Sequence, residues 1–331
     1  MRSAVVTIAL CAATAVALSA IEKGPLLTPE FAAAVNAKTN GAWTASHDNG
    51  YLLRGACRAD IKKLLGVKKN EKVVLPKKSF SANERAQTIP DSFDAATQWP
   101  QCPTITHIRD QSACGSCWAV AAAEAMSDRY CIGGGQQDLL ISAANLMECC
   151  WWCGSGCEGG DPASAWSYWT STGLVADTCQ PYPFAKCAHH TTNSTYPPCP
   201  SNTYPTPSCS STCSSSSTSP VYYKGSSSYT LAGVADFQQE VLANGPIEVA
   251  FDVYEDFLSY TGGVYIRTSS QYLGGHAVRL VGWGTLNGVP YWKIANSWNA
   301  DWGLNGYFLI RRGTDECGIE DSGAAGLALI S

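Results

Sequence analysis

The chain has 331 residues, room for about two domains at roughly 150 each, and 45% of them are hydrophobic, enough to bury a sizeable core. The formal net charge of −5 speaks against a nucleic-acid-binding surface. Sixteen cysteines exceed what a reducing cytosol tolerates unless they hold metal.

Residues 1–19 read as a secretory signal. Arg2 supplies the charged start, Val5 to Leu18 is apolar and Ala-rich, and Ala17 and Ser19 suit a cleavage site. That run is too short to cross a bilayer, and no later stretch holds the roughly 18 apolar residues a membrane span needs. Charge then divides the remainder. Residues 20–89 carry twelve basic and six acidic side chains; residues 90–331 carry nine and 21. A detachable segment of charge +6 lying on a body of charge −12 is the expectation.

In the basic segment, Thr28-Pro29-Glu30-Phe31 places a cap before a first-turn proline. Asp60 to Gly66 reads as a short capped helix with a glycine stop, and the polar stretch from Ser81 to Thr88 as an exposed cut site. In the acidic body, Cys117 to Cys131 is Ala-rich and helical, and Ser142 caps a second helix ending near Cys149. Residues 179–220 are dense in Pro, Ser and Cys and bury little, so only cross-links would order them.

The period then changes. Asp236-Phe237-Gln238-Gln239 reads as a capping box, and Asn244-Gly245-Pro246 ends that helix. Ile247, Val249, Phe251 and Val253 alternate with mostly polar residues, as in a half-buried strand. Further strand-like runs follow at His276–Trp283, Tyr291–Ser297 and Tyr307–Arg311, with Asn287-Gly288 as a turn. The fold class is α+β, a helical half against a twisted antiparallel half with a cleft between.

The sharpest motif is Cys114-Gly115-Ser116-Cys117-Trp118, preceded by Gln111. Cys117 opens the Ala-rich helix, so its sulfur meets unpaired N–H groups and the positive dipole end, which favour a thiolate. Of five histidines, His276 follows Gly274-Gly275 on a strand, where backbone can approach closely. The carbonyl of Asn296 would fix its tautomer, Trp298 would shield that bond, and Gln111 can donate to a developing oxyanion. A zinc reading competes, because Cys114-x2-Cys117 and Cys150-x2-Cys153 superficially form a double knuckle. The 32 residues between the pairs exceed the usual spacing of about 15–20.

These residues resemble the papain-like cysteine proteases, and residues 90–331 resemble the cathepsin B branch. Asp91-Ser92-Phe93-Asp94-Ala95, Gln98 to Pro103, Pro290-Tyr291-Trp292 and Cys317-Gly318-Ile319-Glu320 carry that likeness. The resemblance implies a two-lobed fold with a helical left lobe and an antiparallel, β-barrel-like right lobe. Residues 20–89 would be an inhibitory propeptide of a zymogen. Catalysis would rest on Cys117, His276, Asn296 and Gln111, through an acyl-enzyme. Cys187-Ala188-His189-His190 through Cys199 matches the branch's occluding loop, whose histidines bind a substrate's C-terminal carboxylate and direct dipeptide release beside internal cleavage. Asp110 would latch His189.

Further contacts to substrate are implied at Gly159, Gly160, Pro162, Ala277, Trp298 and Ser322. Where the branch has an acid at the floor of the P2 pocket, this chain has Ser322, so apolar P2 side chains are expected. The branch's second latch, an Arg on the carboxylate matching Asp301, has no counterpart between Cys187 and Cys199. Tyr196 lies near its place, and a looser loop with more endopeptidase activity follows as the expectation. The implied disulfides are Cys102–Cys131, Cys114–Cys157, Cys149–Cys209, Cys150–Cys153, Cys179–Cys213 and Cys187–Cys199, with Cys317 unpaired. Asn193-Ser194-Thr195 is a glycosylation sequon. Implied partners are protein and peptide substrates, the chain's own propeptide and cystatin-like inhibitors. The chain would act as a monomer without metal or cofactor, in the lysosome, a similar acidic vesicle or outside the cell.

Overall fold

The computed structural model describes residues 28–47, 61–68, 72–189, 194–200, 202–215 and 219–330. The secretory signal, Asp60, His190 and Asn193 lie outside these residues. Two hydrophobic cores explain the two-part architecture. One gathers around helix α4 (Cys117–Ile132), whose face of Ala119, Val120, Ala122, Ala123 and Met126 packs on α5 (Ala143–Cys149) and α6 (Pro162–Ser171). Small alanines let these helices approach closely, and Trp118, Trp166 and Trp169 fill the space between them. Ser142 caps α5 by accepting from the Asn145 amide, and Asp161 caps α6 through Ser164.

The second core lies under the sheet. Its strands are β3 (Gly225–Leu231), β4 (Ile247–Tyr254), β5 (Tyr260–Tyr265), β6 (Tyr272–Leu286), β7 (Val289–Ala295), β8 (Tyr307–Arg311) and β9 (Gly323–Ala328). Alternation along β4 sends Val249, Phe251 and Val253 into a cluster with Phe257, Trp292 and Phe308. The β6–β7 hairpin turns at Asn287 and Gly288, both with positive φ (51° and 81°), as a tight right-twisted connection needs.

The barrel-like expectation needs correction. The sheet is open and mixed; with β1 (Trp43–Ala45) its order is β1-β5-β8-β7-β6-β4-β9-β3, β2 (Phe93–Asp94) pairs with β6 off this path, and β5 runs parallel to β8. Its two ends carry strands that do not pair with each other. One end is β3, a serine-rich strand hydrogen-bonded to β9. The other is β1 (Trp43–Ala45), which comes from the basic N-terminal segment and pairs antiparallel with β5. Helix α7 (Val234–Asn244) also departs from expectation. It starts at Gly233, with φ 83°, rather than in a capping box at Asp236. Asp236 instead faces Arg85 of the basic segment at 2.6 Å.

The basic segment wraps the cleft between the cores. Helix α1 (Pro29–Thr39) is capped by Thr28, and Trp43, 2% exposed, inserts among Tyr260 and Tyr265. Residues 61–68 then cross the cleft. Gly66 is required there: a Cβ at that residue would lie 1.8 Å from the Gly115 carbonyl oxygen. Residues 76–78 pair with Thr230 of β3, and the short helix α2 (Ala82–Arg85) begins with a capping box between Ser81 and Glu84. Most of the anticipated cut-site stretch, Ser81 to Thr88, is exposed.

Candidate active site

Cys117 is the first residue of α4 and is fully buried where the two cores meet. Its neighbours are Ala121, Ala277 and, from the basic segment, Val67. The amides of Ala277, Gly66 and Trp118 donate to its sulfur. Ala277 follows His276 on β6, so the register of one strand brings imidazole and thiol to the same point. His276 Nε2 donates to Asn296 Oδ1 at 2.8 Å, which assigns the bare lone pair of a neutral ring to Nδ1. Nδ1 is buried and has no partner among the described residues. Trp298 stacks on His276 with centroids 5.1 Å apart, and the His276–Asn296 bond is fully enclosed.

Gln111 is held from three sides. Its amide donates to the Ser297 carbonyl, its Oε1 accepts from Ser297 Oγ at 2.7 Å, and its carbonyl accepts from Tyr182. Its Nε2 donates to the Cys114 carbonyl and to the carbonyl of Leu64 at 2.9 Å. The cleft is thus filled by a peptide of the same chain. Lys68 donates to Gly160 O, Gly160 donates to Gly66 O, and Val67 donates to Gly275 O. Gly274 is pressed by Leu65, whose Cβ would lie 2.8 Å from an added Cβ.

Burial overrides the helix dipole in this covered state. Desolvation pushes the Cys117 thiol up to about 11, although the three amides oppose it. Burial also takes His276 down to about 4, against the help of Asn296. Both groups are therefore neutral beneath the segment, opposite to the thiolate inferred from helix position alone.

The loop between Cys187 and Cys199 is tied down at two carboxylates. Asp110 accepts from His189 Nε2 at 2.6 Å, from the Ser112 and Cys187 amides at 2.7 and 2.9 Å, and from Asn299 Nδ2 at 3.1 Å. Burial opposes its ionisation, but His189 and these donors hold the carboxyl below its ordinary range. The second carboxylate, Asp301, accepts from Ser194 Oγ at 2.6 Å and from the Thr195 amide at 3.2 Å. Neutral donors therefore stand on the carboxylate for which the sequence offered no arginine between Cys187 and Cys199. Tyr196 does not make this contact; its ring lies 5.8 Å from Lys186 Nζ. His189 also stacks on Trp298, at 6.0 Å, on which His276 stacks too.

Six disulfides join the pairs named from the resemblance: Cys102–Cys131, Cys114–Cys157, Cys149–Cys209, Cys150–Cys153, Cys179–Cys213 and Cys187–Cys199. Cys117 and Cys317 are the free thiols among the described residues. This pairing removes the double-knuckle geometry, since Cys114 and Cys150 are each bonded elsewhere than to a metal. Cys187, Cys199 and His189 converge within 4.8 Å, but the two sulfurs are bonded to each other.

A cavity of about 560 Å³ reaches Val67, the propeptide neighbour of Cys117, and is lined by Pro162 and Ser322 but not by Ala277, which packs on the thiol. Gly159 and Gly160 back the crossing peptide. Sequence reasoning missed Ser297, Asn299, Tyr182 and Glu248. Asn299 carried one signal, since an asparagine after a strand suits its observed positive φ of 57°.

Known proteins match this arrangement. Residues 89–327 match the papain family cysteine protease profile. The chain belongs to the papain family of cysteine proteases. Within it, the chain is cathepsin B-like: it is 44% identical to cathepsin B-like cysteine proteinase 5 of Caenorhabditis elegans, over 96% of this chain and 95% of that one. It is 50% identical to cathepsin B-like cysteine proteinase 6 of the same organism, over 72% of this chain and 66% of that one. Procathepsin B S9 of Trypanosoma congolense superposes with a TM-score of 0.85 at 42% identity, covering 93% of this chain and all of that one. The segment crossing the cleft is the propeptide of this cathepsin B-like peptidase, and the structure is that of the proform. No helix among the described residues is long and apolar enough to cross a membrane.

Proposed function

We propose that the mature enzyme hydrolyses peptide bonds through a Cys117 thiolate and a His276 imidazolium, once the propeptide, residues 20–89, is removed near Ile89–Pro90. The observation that carries this reading is the grip of Cys117 and Gln111 on one stretch of peptide, the Gly66 amide reaching the sulfur while Gln111 Nε2 holds the Leu64 carbonyl. With the segment gone, water and the open helix end favour the charged pair. Nδ1 of His276 takes the thiol proton, the sulfur attacks the carbonyl carbon, and Gln111 Nε2 with the Cys117 amide stabilises the oxyanion. His276 then protonates the leaving amine. Water, deprotonated by the same ring, hydrolyses the thioester and restores the thiol. Asn296 holds the ring on its axis throughout.

The occluding loop, 187–199, closes one end of the cleft. There His189 and His190 bind a substrate's C-terminal carboxylate, so that C-terminal dipeptides are released beside internal cleavage. The cavity bearing Pro162 and Ser322 takes the P2 side chain, with Gly159, Gly160, Ala277 and Trp298 lining the substrate's path. The enzyme works as a monomer in a lysosome-like or extracellular setting, carries a glycan on Asn193, and is open to cystatin-like inhibitors. Acid-activated protein is titrated with a thiol-directed epoxide and then offered peptides whose cut positions are mapped from the C-terminus. One site per chain, with dipeptide release among the products, is the expected result. Full hydrolysis by Cys117→Ala would defeat the reading.

A further inference from the structure

The loop between Cys187 and Cys199 gathers two sulfurs and an imidazole nitrogen at one point. Nε2 of His189 lies 3.6 Å from Cys187 Sγ, and these two atoms and Cys199 Sγ all fall within 4.8 Å of one another. In a tetrahedral zinc site, with bonds of about 2.3 Å to sulfur and about 2.0–2.1 Å to nitrogen, neighbouring N and S ligands stand about 3.6 Å apart. His189 and Cys187 therefore already have the spacing of two zinc ligands. The two sulfurs are bonded to each other, so the full set becomes available only on reduction.

The backbone around these atoms is held by more than the disulfide. The Cys187 amide donates to Asp110 at 2.9 Å, and the Cys187 carbonyl accepts from Asn299 Nδ2 at 2.6 Å. The Ala188 amide donates to the Pro197 carbonyl at 2.7 Å, which ties the two arms of the loop together next to their cysteines. His189 is held between Trp298 and Asp110. Sulfurs freed from one another stay close, and they need part to only about 3.8 Å to share one zinc ion. The disulfide is also placed for exchange. Cys187 is buried beside the Nε2–H of His189, a donor for a departing thiolate, while Cys199 is half-exposed, on the side from which a thiol can approach.

We propose that thiol reduction of the Cys187–Cys199 disulfide creates a zinc site whose ligands are Cys187 Sγ, Cys199 Sγ and His189 Nε2, with water in the fourth position. A low-molecular-weight thiol attacks Cys199 Sγ, Cys187 leaves as its thiolate, and a second thiol then frees Cys199. Two external thiols become one disulfide, and their two protons end on the loop cysteines. Zn2+ displaces both protons to solvent, and the Nε2 proton passes through solvent to Nδ1. Asp110 keeps three donors, the Ser112 and Cys187 amides and Asn299 Nδ2, when His189 turns to the metal. Zinc suits the set because its borderline-soft character favours sulfur and imidazole together. One ion then replaces both the disulfide and the His189–Asp110 contact as the fastening of the loop. On the proposed reading of that loop it also takes His189 away from a substrate's carboxylate; the site itself does not rest on that reading.

The test uses the full proform carrying Cys117→Ala, so that zinc meets no nucleophile and the chain cannot process itself. The protein is treated with a dithiol under native conditions, freed of reductant and titrated with Zn2+. Alkylation and peptide mass mapping show which cysteines have opened. The expected result is one zinc ion per chain in the reduced protein, none at the same concentration in the oxidised protein, and loss of alkylation at Cys187 and Cys199 when zinc is bound. Co2+ in place of zinc should show thiolate charge-transfer absorption. His189→Ala should weaken binding by more than the roughly 10–100-fold that losing an outer-shell partner costs. Should that variant not fold, protection of the two cysteines in the parent chain decides alone. A reduced loop that takes up no zinc, zinc held equally well after His189→Ala, or zinc that leaves both cysteines as reactive as before overturns the site. A Cys187–Cys199 bond that resists the dithiol while Cys150–Cys153 opens overturns it too.

Discussion

The two tethers of the loop between Cys187 and Cys199, the proposed occluding loop, differ in kind, and that difference is measurable. Asp110→Ala removes an acceptor used by four donors. Two of them, Ser112 N and Asn299 Nδ2, lie outside the loop and lose the carboxylate whether the loop is open or shut. The other two, His189 Nε2 and Cys187 N, move with the loop and regain water when it opens. Only these shift the closure equilibrium. A bond from the histidine to the carboxylate contributes about 1.5–3 kcal/mol and the amide about 1 kcal/mol. Their loss is roughly 3 kcal/mol, about a hundredfold in the ratio of closed to open loop. The Asp301 tether is exposed and made by a hydroxyl and an amide, so Ser194→Ala is worth about 0.5 kcal/mol, or roughly twofold. Internally quenched peptides with a free C-terminus report dipeptide release, and amidated ones report internal cleavage. The kcat/KM ratio of release to internal cleavage should fall at least about tenfold in Asp110→Ala and less than about threefold in Ser194→Ala. An unchanged ratio in a folded Asp110→Ala enzyme, or a larger effect at Ser194, would refute this reasoning. The Asp110 carboxyl is held below its ordinary value, so its stabilisation is complete above an unfolded pKa of about 3.9 and is lost only as pH falls beneath it.

Three other outcomes follow from the proform. Alkylation of Cys117 by iodoacetamide should be slow in the proform until pH approaches 11, and fast at pH 6 after activation; equal rates at pH 6 would count against a desolvated thiol. His276 is neutral when buried and its folded pKa is depressed to about 4, so the unfolded chain binds more protons between about 6.5 and 4. Proform stability should therefore decline as pH falls through that window, and chemical denaturation of His276→Ala should show a shallower decline. For a propeptide added in trans, Trp43→Ala should weaken inhibition about a hundredfold or more, since truncating a buried Trp costs about 3–5 kcal/mol. Arg85→Ala, which loses an ion pair with a half-exposed arginine, should weaken it no more than about fivefold. The reverse order would favour the electrostatic clamp suggested by the +6 and −12 charges.

The proposed site was legible where chemistry and chain position coincide. Cys117 at a helix start, His276 after two glycines and Asn296 at a strand end are each visible in a line of text, and β4, β6, β7 and β8 follow from alternation and one Asn-Gly turn. What was hidden depends on contacts between distant strands. Gly225–Leu231 is a run of serines with little to bury, and it becomes β3 only because Gly323–Ala328 offers an edge. Glu248 looked solvent-facing because its neighbours on β4 alternate inward, yet at this end of the strand the outer face is also covered, by Trp166 of α6, while Asp252 further along the same face is exposed. The left-handed Asn299, which bridges Asp110 and the Cys187 carbonyl, is a loop residue whose role appears only with the loop in place.

The charge state of the nucleophile is the sharpest case. Position in a helix favours the Cys117 thiolate, and burial under Gly66 and Val67 opposes it. In the proform burial wins, while Gln111 is occupied by the Leu64 carbonyl. One stretch of five residues thus removes water, the oxyanion donor and the ion pair together. On the proposed mechanism, inhibition and catalysis draw on the same few atoms. A propeptide variant that leaves the cleft merely covered, without a carbonyl on Gln111, would keep the thiol neutral and still free the oxyanion hole. The proform therefore silences its nucleophile chiefly by excluding solvent, with the Leu64 contact fixing where the chain crosses.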